Sequence, residues 1–70
     1  MTKEFTILIE KGIDGFYVGS TIELPGCHTQ GETIDELMKN IKEAIELYLA
    51  VRPELKEQAS EFVGIQRLYV

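Results

Sequence analysis

A chain of 70 residues with one cysteine, Cys27, cannot staple itself with a disulfide framework. One cysteine and one histidine, Cys27 and His28, are also too few for a structural zinc site, which takes four ligands. No apolar run approaches the roughly 18 residues of a membrane span. Met1-Thr2-Lys3-Glu4 leads into an alternating segment rather than the apolar core of a signal peptide, so the expected compartment is the cytoplasm. Basic residues are scarce, 7 against 12 acidic, for a formal charge of −5. That balance argues against direct binding of nucleic acid, which wants clustered Lys and Arg. It suits a basic partner, although a modest negative charge also simply keeps a small protein soluble. Gly12, Gly15 and Gly19 surround a hairpin rather than join a strand to a helix, so they form no phosphate-binding loop.

What is present reads as one small domain covering residues 1–70. Such a chain buries only about 60% of its unfolded surface and is marginal alone. Self-association is therefore expected. Residues 4–10 alternate, with Phe5, Ile7 and Ile9 on one side and Thr6, Leu8 and Glu10 on the other, the period of a strand. Asp14-Gly15 is a hairpin signal. Residues 16–24 alternate again. Phe16, Val18, Ile22 and Leu24 are expected on the same side as the apolar face of the first strand, and Tyr17, Gly19, Thr21 and Glu23 on the other.

Pro25-Gly26 is a turn signal, since Pro presets one dihedral and Gly accepts positive φ. Residues 27–30 allow a short third strand, and Gly31 ends it. Thr33 and Glu36 form a capping box. A helix follows from about Ile34 to Ala50 or Val51, with Ile34, Leu37, Met38, Ile41, Ala44, Ile45, Tyr48 and Leu49 as one broad stripe. At this spacing the stripe is expected to be core. Pro53 stops the helix. Residues 54–60 are polar, and residues 62–70, rich in apolar and β-branched residues, read as a last strand.

The expected fold is α+β, a two-layer β-β-β-α-β domain with the helix on one face of a four-stranded sheet. A right-handed crossover places the last strand beside the first, in the order 3-2-1-4. The other face, carrying Leu8, Tyr17 and part of the last strand, is more apolar than a wet face should be. A dimer or higher oligomer would cover it.

The residues with chemical potential are few. Cys27 and His28 are adjacent, and neighbours on a strand point to opposite faces, so they cannot easily form a dyad. Glu10, Asp14, Glu23, Glu32, Asp35 and Glu36 are spread over turns and strand ends, without the convergence that a two-metal nuclease requires. Asp14 has a turn role and Glu36 a capping role. The reading is no catalytic residue, no cofactor-binding residue and no metal ligand, with the partner-binding residues left unassigned.

Three runs of residues carry a family resemblance: Asp14-Gly15-Phe16-Tyr17-Val18 after a strand ending in Ile9-Glu10; the run from Leu24-Pro25-Gly26-Cys27 through Gly31-Glu32-Thr33; and Asn40-Ile41-Lys42-Glu43-Ala44-Ile45. Together they resemble the HicB-like antitoxin family over about residues 5–49. The resemblance implies a partial ribonuclease-H-like fold without retained nuclease activity. Antitoxins of this family bind and block a small basic HicA-type toxin, an RNA-cleaving protein with a double-stranded-RNA-binding-like fold and a catalytic histidine. Many also carry a C-terminal DNA-binding domain and repress their own operon. A chain ending at Val70 resembles a short stand-alone member without that domain.

The resemblance therefore implies an antitoxin-type binding module, not an enzyme, with a small basic toxin as partner. The short chain and the apolar sheet face add further copies of itself, and the charge and the lack of a long apolar run argue against nucleic acid or membrane as a direct partner. Two alternatives stay open. One is an orphan oligomeric protein without a toxin. The other is a reduced metal-dependent ribonuclease-H-like nuclease.

Overall fold

The structure, a computed structural model, describes residues 4–53 and 61–70. Three strands and one helix follow in order: β1 (Ile7–Lys11), β2 (Tyr17–Thr21), β3 (His28–Gly31) and α1 (Ile34–Val51). The strands form one antiparallel sheet in the order β1-β2-β3. The helix lies over β2 and β3.

The first hairpin sets the register. Gly15 N–H donates to the Gly12 carbonyl at 3.0 Å, and Gly12 N–H donates to the Phe16 carbonyl at 2.8 Å. Gly15 has φ +91°, a left-handed conformation that a side chain would resist. The connection is thus a three-residue loop ending in a left-handed glycine. Asp14 Oδ1 accepts a 3.1 Å bond from Phe16 N–H, the turn role expected of it.

This loop length overturns the expected facing of β2. A two-residue turn on Asp14-Gly15 would set odd residues of β1 opposite even residues of β2. With one more residue in the loop, Ile7 pairs with Thr21 and Ile9 with Gly19, so odd residues share a face. A one-residue shift exchanges the faces of a strand. Gly19 and Thr21 accordingly face the helix together with Ile7: a Cβ built on Gly19 would meet Leu37 Cδ1 at 3.1 Å and Ile7 Cγ2 at 3.3 Å. Val18 lies on the outer face with Leu8. Tyr17 is opposite Lys11 and shares the helix-side face, with the Lys11 ammonium 5.5 Å from its ring centroid.

The second corner is tighter. Cys27 N–H donates to the Leu24 carbonyl at 3.0 Å across Pro25-Gly26, with Gly26 at φ +83°. Pro at the second position and a left-handed Gly at the third make this a type II turn. Thr21 N–H donates to the Cys27 carbonyl at 2.9 Å and closes the loop onto β3. The regular part of β2 therefore ends at Thr21, earlier than the sequence pattern suggests, because residues 22–26 turn.

Helix α1 begins as expected. Thr33 Oγ1 accepts from Glu36 N–H at 3.0 Å, while the Glu36 carboxylate accepts from Glu32 N–H at 3.3 Å. The second bond reaches one residue beyond the cap itself. The helix ends with Arg52 N–H donating to the Tyr48 carbonyl, directly before Pro53.

Leu24, Leu37 and Ile41 are the fully buried apolar side chains, with Cys27 beside them. The expected core stripe is only partly covered. Ala44, Ile45, Tyr48 and Leu49 are half-buried, and Ile34 and Met38 remain 42% and 41% exposed. The cause is the position of the helix over β2 and β3, so that among the described residues its flank and the β1 side of the sheet have no lid.

The fourth strand is not in this sheet, which has three strands rather than four. Residues 61–70 carry no regular secondary structure, and every one of them is exposed. Val63, Ile65, Leu68 and Tyr69 are two-thirds exposed or more. Their apolar side chains do not alternate with polar ones, so no single face of this segment matches one face of a half-covered sheet. The polar stretch at 54–60 lies outside the described residues.

Candidate interaction surfaces

The two residues with nucleophile character are separated. Cys27 is buried, 5% exposed, and its Sγ accepts a 3.7 Å contact from the Thr21 hydroxyl. His28 is exposed and lies opposite Ser20, on the outer face. A thiol packed in this way is a small core residue.

The carboxylates are occupied by structure or lie apart. Glu23, 6% exposed, accepts the Thr6 backbone N–H at 2.8 Å and ties the entry of β1 to the corner after β2. Asp14 holds the hairpin loop, and Glu36 the helix cap. Glu10, Glu32 and Asp35 are exposed. Among the described residues no three His, Cys, Asp or Glu side chains come together as metal ligands would. Nor is any described helix long and apolar enough to cross a membrane.

What the molecule does present is apolar surface. An open groove of about 530 Å³ runs between the second half of α1 and the Pro25-Gly26 corner, lined by Cys27, His28, Ala44, Leu47, Tyr48 and Val51 among others. The Tyr48 hydroxyl spans its wall to the Pro25 carbonyl at 2.9 Å, and Asn40 Nδ2 donates to the Gln30 carbonyl at 2.9 Å farther along the same helix–strand seam. A second apolar region lies at the opposite edge of the sheet. There Leu8 and Ile9 on β1 are 38% and 39% exposed. Exposed apolar surface of this extent is the kind that protein–protein contacts cover.

The family model described as the HicB_like antitoxin of bacterial toxin-antitoxin systems matches residues 5–69. The chain belongs to the HicB-like antitoxin family. The match extends about twenty residues past the stretch where the sequence motifs are readable and takes in the exposed C-terminal segment.

Three curated relatives match over most of both chains. A UPF0150 protein of Synechocystis is 54% identical over 68 residues, 97% of this chain and 96% of its own. One of Archaeoglobus fulgidus is 52% identical over 63 residues, covering 90% and 88%. One of Thermotoga maritima is 35% identical over 69 residues, covering 97% and 91%. No solved structure matches the chain at a significant level.

The sequence reading named the apolar outer face at Leu8 but missed the free edge of β1, the partly bare helix stripe and the groove beside Tyr48. The loop length of the first hairpin was the signal for which face of β2 meets the helix.

Proposed function

We propose that this HicB-like antitoxin neutralises a small basic RNA-cleaving toxin of the HicA type by docking on it and occluding its RNA site, in the cytoplasm and without catalysis of its own. The observation that carries this reading is family membership across residues 5–69. The charge of −5 fits a basic partner, and Glu10, Asp14, Glu32, Asp35, Glu43 and Glu46 are exposed to meet one. Opposite charge speeds encounter, and desolvated apolar contact then holds a complex together. The antitoxin also self-associates in this reading, because a small core and a partly bare helix stripe leave apolar surface to cover. The partial ribonuclease-H-like arrangement belongs to the same proposal.

The nuclease alternative gains no support from the site. Asp14, Glu23 and Glu36 each hold a backbone amide.

The experiment is co-expression with a short basic protein encoded by the adjacent gene. Growth arrest by that protein alone, rescue by this chain and co-purification of the two are expected. Arrest without rescue, or rescue without a complex, would remove the docking mechanism.

A further inference from the structure

We propose that residues 62–70 are an exchange strand, adding to the free edge of β1 in a second copy of this chain. The inference rests on the self-association reading above and says which surfaces carry it.

Among the described residues the order β1-β2-β3 leaves β1 with one neighbour. Ile22 N–H donates to the Thr6 carbonyl, and Gly12 N–H donates to the Phe16 carbonyl, so the even-numbered residues of this strand bond to β2. In an antiparallel pair the residues between them turn their backbone groups the other way. Ile7, Ile9 and Lys11 therefore aim theirs at the free edge. No proline or bulge blunts it, and an unprotected edge of this kind pairs with another strand.

Residues 62–70 hold Phe62, Val63, Ile65, Leu68, Tyr69 and Val70, all exposed in this structure. Laid out with period two, Phe62, Leu68 and Val70 fall on one face and Val63, Ile65 and Tyr69 on the other. A strand apolar on both faces is built to be covered on both.

That requirement selects the second copy. The end of α1 sits by Pro25, at the end of the sheet where β1 begins, so a strand in the same chain could reach β1 by a right-handed crossover. Seated there it would stay bare. The helix lies over β2 and β3, Ile9 is already 39% exposed on the helix side, and Leu8 is 38% exposed on the outer side. Reciprocal exchange between two copies places two such strands and two β1 edges together, so each covers the other. It also closes as a two-fold pair in which both β1 edges are taken.

The test uses the full chain alone. Light scattering gives the mass at micromolar concentration, and isotope-filtered NMR on a mixture of labelled and unlabelled protein reports contacts between copies. A dimer whose filtered spectra join residues 62–70 to β1 is the expected result. A monomer overturns both the exchange and the self-association it rests on. A dimer in which residues 62–70 contact only their own β1, or contact no β1, overturns the exchange and leaves self-association standing.

Two variants probe the two halves. Ile9→Pro removes an N–H that faces the free edge, not a bond to β2. Leu68→Pro removes a donor from the incoming strand. Each is expected to raise the dimer dissociation constant by about tenfold or more while the helical circular dichroism signal persists. A folded Ile9→Pro protein that dimerises as tightly as the parent would contradict the proposal.

Discussion

At Gly31 and Gly19 an added side chain would run into the helix, and the two positions differ in what stands opposite. A Cβ on Gly31 would lie 2.6 Å from the backbone nitrogen of Leu37 and 3.0 Å from its Cα. That neighbour is the first turn of a capped helix and cannot swing aside. A Cβ on Gly19 would meet the Leu37 methyl groups at 3.1 and 3.3 Å, and a leucine side chain can adjust its rotamer. Overpacking costs about 1–3 kcal/mol when the surroundings must shift. Gly31→Ala is expected near the top of that range and Gly19→Ala near the bottom. Urea unfolding followed by circular dichroism checks this, and equal losses would mean that the seam is softer than its geometry implies. At the same scale, the role of Glu23 could not be read from the sequence. Among twelve acidic residues nothing sets it apart until the corner after β2 folds it back onto the Thr6 amide.

At the scale of elements, legibility followed the number of independent local signals. Helix α1 was read to within a residue because a capping box, an apolar stripe and a terminal proline agree on its limits. Thr33→Ala is accordingly expected to cost about 1 kcal/mol, by removing the oxygen that accepts the Glu36 amide. A shift of the urea midpoint without a change in slope measures it. The corner at Pro25-Gly26 was equally plain, since a type II turn has few sequence solutions. The first hairpin was legible as a hairpin but not in register. Asp14-Gly15 fits a two-residue or a three-residue loop, and the choice between them decides which face of β2 meets the helix. The last segment was misplaced for a different reason. Its composition is that of a strand, but composition does not name the edge, or the chain, against which a strand pairs.

At the scale of the whole molecule, the proposed docking on a basic toxin gives the negative charge and the apolar surfaces separable effects. A net charge of −5 spread over exposed side chains acts at a distance, so it governs how fast partners meet. The Debye length falls from about 10 Å at 0.1 M salt to about 3 Å at 1 M. Raising salt from about 0.05 M to about 0.5 M is therefore expected to slow association by about tenfold or more, as for steered complexes. Dissociation breaks close apolar contact, which salt hardly screens, and its rate is expected to change by less than about threefold. Stopped-flow mixing of the two purified proteins separates the constants. If salt acted instead on dissociation, the carboxylates would be held in direct contact with the toxin, and the acidic residues flanking the start of α1, Glu32 and Asp35, would be the first to replace with their amides.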